Sequence, residues 1–471
     1  MKNSFSYSFF GILFLSCILI NSSCKKDSFI TSSDAFLRLS EDTLHFDTVF
    51  TTLGSTTQYL KIFNLNDQKL KLSSIELMGG ASSFFKINVD GVSGTSFTNI
   101  DLEKNDSVYM FATVRIDPNV ANLPFLVRDS IKILYNGNTK WIQLQAYGKN
   151  ARFLKNVTVT TDSAFTKDLP IVILGSLTVN ANKTLTIPKG TNIYIHPNAP
   201  IIVNGTLKAI GDTATNNKII FQGLRIDDPY KNYPGSWPYI YFSASSKDNQ
   251  LQHCILKNAY QGIVAESPAT NSNPKVTLDQ CILNNIYDKA ILCSNSSITA
   301  RNCLVSNCGF GLYLVSGGNY NINHCTFTSI SNYFLSHKES LITLSNTNND
   351  LSFSNPLNLT LNNSIIYGEG GFVENEIIIP KINTGTGFNV VMNSNLYNQK
   401  TDPSNITFSN SIKNTNPLFV QVDINNNTYN FRLQSNSPCI NTAKAPSLNI
   451  DLDGKPRPVG TISDIGCYEK Q

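Results

Sequence analysis

Four short segments of this chain repeat one pattern around a cysteine. They read QHCILKN from Gln252, DQCILNN from Asp279, RNCLVSN from Arg301 and NHCTFTS from Asn323. A fifth copy, NNSIIYG from Asn362, has Ser364 at the cysteine position. The first four begin 27, 22 and 22 residues apart. A period of this size marks one turn of a stacked array, because a single unit cannot bury its own apolar face. Each unit is short and strand-like, so the array is a solenoid of β-strands. Cys254, Cys281, Cys303 and Cys325 then stack in adjacent coils, and so do Asn258, Asn285 and Asn307 four places further on. An asparagine column at one bend lets each side-chain amide bond to the next and satisfies the backbone there. Zinc needs ligands that converge tetrahedrally, whereas a ladder sets thiols in a row. The expected role is structural, with no metal and no cofactor. Cys293 and Cys308 gain no partner from the pattern.

Composition agrees with strands. Hydrophobic residues make up 41% and charged residues 15%. Asn, Ser and Thr are plentiful, which suits β-structure with polar turns. Beyond the first 20 residues no long stretch carries a helical period. The net charge of +4 is scattered without a basic run, which argues against nucleic acid as a partner. At 471 residues the chain exceeds one ordinary core.

The N-terminus reads as a targeting segment. Lys2 is followed by the apolar run Phe9–Ile20 and by Ser22, Ser23 and Cys24. Residues 1–23 form a signal peptide, and the run is short for a membrane span. The stretch from Leu19 to Asp27 resembles a bacterial lipoprotein signal of the Bacteroidota type, although Asn21 stands where that family prefers leucine. The resemblance implies that Cys24 is acylated and becomes the mature N-terminus. The lipid would hold the chain in the outer membrane, on its periplasmic or its surface face. That envelope compartment is oxidising and permits disulfides.

Residues 24–40 are polar and read as a tether. Residues 41–150 hold about seven alternating runs, among them Thr43–Phe50, Gln58–Phe63 and Ser107–Val114, and read as a β-sandwich. The pattern around Asp47-Thr48-Val49-Phe50 resembles immunoglobulin-like domains of bacterial surface proteins. Strands and Gly or Asn turns then alternate without helices over 151–414. At about 22 residues a turn this stretch makes about ten coils, stacked about 4.8 Å apart. It resembles the right-handed parallel β-helix family, which includes pectate lyases and surface lipoproteins. Residues 415–471, with Ser437-Pro438-Cys439-Ile440 and Asp464-Ile465-Gly466-Cys467-Tyr468-Glu469, resemble the choice-of-anchor Q module that caps surface β-helices. Alanine is common there where this chain has Cys439 and Cys467. Two small residues replaced together imply contact, and a disulfide between them is expected. The competing reading is two separately buried thiols.

The polar loop 225–241 is the candidate binding site, through Arg225, Asp227, Asp228, Tyr230 and Trp237. Aromatic rings beside carboxylates and a guanidinium suit sugar faces and hydroxyls. The competing reading is a packed structural loop with an internal Arg225–Asp227 or Arg225–Asp228 pair. Catalysis has weaker support. A lyase needs a base and a stabilised developing charge. A glycosidase needs two carboxylates across one cleft, and Asp227, Asp228, Asp279 and Asp288 are available without an evident pairing. Asn449–Gly454 mimics the start of a calcium loop, but Gly460 stands where its bidentate acid belongs. The reading is an envelope lipoprotein whose solenoid binds a polysaccharide or another partner without catalysis. The alternative is a polysaccharide lyase or glycoside hydrolase acting on an acidic polysaccharide.

Overall fold

The computed structural model describes residues 28–117, 125–444 and 448–471. Cys24 and the signal segment 1–23 lie outside the described residues. The chain divides into two compact units, Met1–Asn150 and Ala151–Gln471. Among the described residues there is no α-helix, and no helix is long and apolar enough to cross a membrane.

The first unit is built from two five-stranded sheets. One has the order Leu37–Leu39, Gln58–Asn64, Ser107–Val114, Phe85–Val89, Val92–Gly94. The other has the order Thr43–Phe50, Asn138–Lys149, Phe125–Tyr135, Leu70–Leu77, Ser96–Leu102. Alternation sends every second side chain inward. Leu60, Ile62 and Met110 of the first sheet share one core with Leu72, Ile75 and Ile131 of the second. Part of the expected tether belongs to this unit. Leu37–Leu39 pairs with Ile62–Asn64, and Ala35 and Leu37 are buried, because these apolar side chains complete the core.

In the second unit, 26 strands from Arg152–Val159 to Ile412–Lys413 form one continuous sheet whose pairings are all parallel. One coil shows the plan. Thr206–Ile210, Ile219–Gly223 and Ile240–Phe242 pair with Asn249–Gln252, Cys254–Lys257 and Ile263–Glu266 of the next coil. The three columns make a first, a second and a third wall around one apolar interior. Left-handed backbone recurs at the corners. It is found at His253, Gln280, Asn302 and His324 between the first and second walls, and at Asn258, Asn285 and Asn307 after the second. Asparagine tolerates that conformation better than most residues, which accounts for its frequency there.

The cysteines of the repeat stack inside the first of these corners. Ile255 pairs with Ile282, Ile282 with Leu304 and Leu304 with Thr326, which sets the four preceding cysteines in one column. Each thiol reaches a carbonyl: Cys254 to Ala209 at 3.3 Å, Cys281 to Leu251 at 3.2 Å, Cys303 to Leu278 at 3.6 Å and Cys325 to Ala300 at 3.7 Å. Burial pushes the Cys281, Cys303 and Cys325 thiols well above their ordinary range. At the other corner, Asn285 Nδ2 donates to Asn258 Oδ1 at 2.9 Å.

The C-terminal segment departs from its expected placement at the solenoid's end. It lies along the second wall and bonds to four successive coils. Gln280 Nε2 donates to the Asp451 carbonyl, and Asn302 Nδ2 to the Ile450 carbonyl. The Cys467 amide donates to Thr326 Oγ1, and the Gly466 amide to the Asn363 carbonyl. The physical cause is apolar surface. Leu304, Ile330, Ile365 and Leu396 form an outer core with Phe431, Leu433, Leu452 and Ile465. The expected Cys439–Cys467 disulfide is absent, and both thiols are free and separately buried. Chain register explains it. Ile465, not Cys467, donates its amide to Cys439, while Cys467 sits between Leu452 and Thr326. Both cysteines serve as small apolar residues of the outer core.

Candidate functional site

The loop between Ile219–Gly223 and Ile240–Phe242 leaves the second wall and returns to the third. Arg225 is fixed within it. Its Nε and Nη2 donate to the two carboxylate oxygens of Asp227 at 2.6 and 2.5 Å. The guanidinium carbon lies 3.8 Å from the centre of the Tyr230 ring. Asp227, then burial, acts on this group, and the hydrogen bond raises its already high pKa. Asp228 pairs instead with Lys231 at 2.7 Å. Arg225, Asp227 and Tyr230 therefore come together as one stack, with Asp228 at its margin.

Trp237 does not join them. It is 0% exposed, and its indole N–H donates to the Lys257 carbonyl at 2.9 Å. The ring is solenoid core, where its area is worth more than at the surface, so its expected ligand role is corrected. Tyr233 occupies the surface instead. Its ring meets Tyr230 at 5.3 Å and Phe334 at 5.7 Å, and Phe334 meets Tyr333 at 5.3 Å. Tyr333 is 90% exposed. Gly235, with φ of 78°, turns the loop back toward Tyr260 and Tyr287 of the following coils. Those two exposed rings stack at 5.4 Å. Beyond them, Lys289 pairs with Asp288 and lies 5.0 Å from both the Phe310 and the Tyr313 rings. The result is an aromatic flank with fixed charges among its rings.

The sequence held a signal for part of this flank. Tyr260 and Tyr287 stand two places after the ladder residues Asn258 and Asn285. The same repeat that stacks the asparagines stacks the tyrosines. Phe334 and Tyr333 carry no such signal, because they come from a loop that interrupts the period.

A second surface lies on the first wall. Ser297, Asn319, Asn358 and Asn389 stand in one outward column, and Thr299, Asn321 and Thr360 in the next. With the loop Pro268–Pro274 they border a groove of about 460 Å³. Its lining contains no Asp, Glu, His, Lys or Arg. It offers amide and hydroxyl hydrogen bonds.

The four carboxylates considered for hydrolysis are taken up separately. Asp227 is held by Arg225, Asp228 by Lys231, Asp279 by Arg301 at 2.6 Å and Asp288 by Lys289 at 2.8 Å. His337, from the cluster beside Lys338 and Glu339, is buried against Glu376 at 2.8 Å. Asp451, at the calcium-like turn, accepts the amides of Asp453, Lys455 and Glu469. Its carboxylate shapes the turn.

Compared with known proteins, the chain matches no family model and no curated sequence. Among solved structures it is similar to a family 123 glycoside hydrolase from Clostridium perfringens, with 11% identity and a TM-score of 0.18 over 24% of this chain and 26% of that one. It is also similar to a PapD-like domain of human CEP192, with 12% identity and a TM-score of 0.19 over 27% of this chain and 94% of that one. The catalytic domain of a GH87 α-1,3-glucanase aligns over 76% of this chain and 86% of that one, with 11% identity and a TM-score of 0.13. This chain thus spans about a quarter of the first of these structures. At such TM-scores none of the three bears on what the chain does.

Proposed function

We propose that this chain is an envelope lipoprotein that binds glycans along the flank of a right-handed parallel β-helix, behind an immunoglobulin-like spacer, without catalysing a reaction on them. The observation that carries this reading is the fixed stack of Asp227, Arg225 and Tyr230 continuing through Tyr233 and the half-buried Phe334 to the exposed Tyr333 ring. Rings of this kind stack on the apolar faces of sugars, and a guanidinium held by a carboxylate presents donors to hydroxyls at little entropic cost. Right-handedness follows the rule for parallel crossover connections. The separate pairing of every candidate carboxylate, and a first-wall groove without acid or base, favour binding over turnover.

A glycan array tests it. Tyr233→Ala weakens binding of the retained glycan by about tenfold while the fold is kept. Equal binding by wild type and variant moves the site elsewhere. Release of unsaturated products or new reducing ends from acidic polysaccharides would establish the lyase or hydrolase alternative.

Anchoring is read from Ser22-Ser23-Cys24-Lys25. Cys24→Ala should release the protein from the membrane fraction, and mass spectrometry of the wild-type N-terminal peptide should find acyl chains on Cys24. A wild-type Cys24 without lipid ends this part of the reading.

A further inference from the structure

The outer face of one sheet in the first unit gathers aromatic rings and cations. The outward residues of Gln58–Asn64 are Tyr59, Lys61 and Phe63, alternating with the buried Leu60 and Ile62. Those of Ser107–Val114 include Tyr109, Phe111 and Thr113. Register sets Tyr59 beside Phe111, Lys61 beside Tyr109 and Arg38 beside Phe63. On the other side Asn88 pairs with Phe111, and Lys86 with Thr113.

The rings lie together, with Tyr59 tilted by 53° to Tyr109 and by 51° to Phe111. Tyr109 and Phe111 are within 9° of parallel at 5.8 Å, and Tyr59 lies 5.8 Å from one and 6.3 Å from the other. Large aromatic side chains are costly to leave in water, yet Tyr59 is 57% exposed and Tyr109 41%. The cations are placed over rings. Lys61 Nζ is 4.5 Å from the Tyr109 centre, and the Arg38 guanidinium is 4.6 Å from that of Phe63. Among the described residues Arg38, Lys61 and Lys86 have no ion pair, and Glu41 and Asp42 stand nearby, lining one hollow with Arg38 and, for Glu41, another with Tyr59 and Lys61. A hollow of about 750 Å³ continues the platform past Phe111, where Lys86, Asn88, Ser93 and Thr113 line it.

We infer that this face is a binding surface for an anionic polysaccharide. The exposed rings take the apolar faces of the sugars, and Arg38, Lys61 and Lys86 take their carboxylate or sulfate groups. Three cations without an ion pair among aromatic rings favour polyanions over neutral chains. This surface is independent of the aromatic flank on the second unit, and either can stand without the other.

The test measures binding of the whole chain to polygalacturonate, dextran sulfate and amylose, and to phosphatidylglycerol vesicles. Polygalacturonate reports carboxylate recognition, dextran sulfate reports sulfate recognition, and amylose is the uncharged control. The expected result is binding to at least one polyanion, weakened by added salt, and none to amylose. Tyr109→Ala weakens it by about tenfold. Lys61→Gln with Lys86→Gln weakens it at least as much and flattens its salt dependence. Both lysine head groups lie at the surface, so that variant keeps its fold. The inference is overturned if neither polyanion binds, or if the lysine variant and Tyr109→Ala bind as the wild type does. It is equally overturned if these variants lose vesicle binding while polyanion binding is absent.

Discussion

The surroundings of His324 hold it far from its ordinary chemistry. It is fully buried at the corner between the first and second walls. Burial, then the nearby Arg457 charge, lowers its pKa from 6.5 to about 2. The unfolded chain takes up a proton near pH 6.5, and the folded chain does not until near pH 2. Between those values the unfolded state binds more protons, so stability falls as the pH drops. The loss from this group is on the order of 1 kcal/mol per pH unit below about pH 6.5. His253, lowered mainly by burial, acts with the same sign. Asp451 and Asp464 act with the opposite sign, since burial raises their folded pKa and protonation then favours the fold. The His324 effect is therefore clearest between about pH 6.5 and 5. Asn302 and Asn363 occupy the same left-handed corner in the flanking coils, with φ of 48° and 50° against 51° for His324. His324→Asn should keep the backbone and flatten the slope in urea titrations across that window. An unchanged slope would place the linkage elsewhere. Trp237 marks the limit of reading single residues. An aromatic in a Pro- and Gly-rich loop looks like surface, and its neighbours in sequence could not reveal that Lys257, a coil away, accepts its N–H.

Among elements, the C-terminal segment is the one whose attachment can be tested by a single pair. Arg457 and Glu469 form an ion pair at 3.0 Å with both side chains at 0% exposure. Arg457 also donates to Asn302 Oδ1 at 2.9 Å and to the Gly466 carbonyl at 3.0 Å, which ties the segment to the solenoid wall. Removing one partner of such a pair leaves a buried charge unmatched and costs about 3–5 kcal/mol. Arg457→Met should therefore expose the segment from Phe419 onward to limited proteolysis. Adding Glu469→Leu should restore much of the lost protection, because the second change removes the orphaned charge. No recovery in the double variant would mean that the attachment rests on Arg457's bonds to Asn302 and Gly466, or on Glu469's acceptance of the Val459 and Asp464 amides, rather than on the charge pair. The placement of this segment was poorly legible for a physical reason. Its own apolar residues show that it docks. The residues that receive it, Leu304, Ile365 and Leu396, alternate with inward ones on strands already accounted for by the solenoid core. The paired cysteines misled in the same way, since burial alone satisfies a thiol.

At the scale of the whole molecule, the sequence announced the solenoid because each coil is one period of one interior. The period is visible where loops are short, from Cys254 to Cys325. It blurs beyond, where Ser331–Leu341 and Ser345–Pro356 intervene before Ser364 resumes the column. In the first unit alternation gave the strands but not their outer chemistry. Tyr59 and Phe63 are as apolar in pattern as the Leu60 and Ile62 they flank. The two units have separate cores, one around Ile62, Ile75 and Ile131 and another around Leu251, Leu278 and Leu283. Cooperative unfolding follows shared burial, so distinct cores should melt as distinct transitions. Solenoid coils are coupled to their neighbours, and a defect in one should weaken the array around it. Ile75→Ala and Leu283→Ala each remove a fully buried aliphatic chain, at a cost of about 2–5 kcal/mol. Calorimetry of the wild type should resolve two transitions, with Ile75→Ala lowering one and Leu283→Ala the other. If either variant shifts a single common transition, the two cores unfold together.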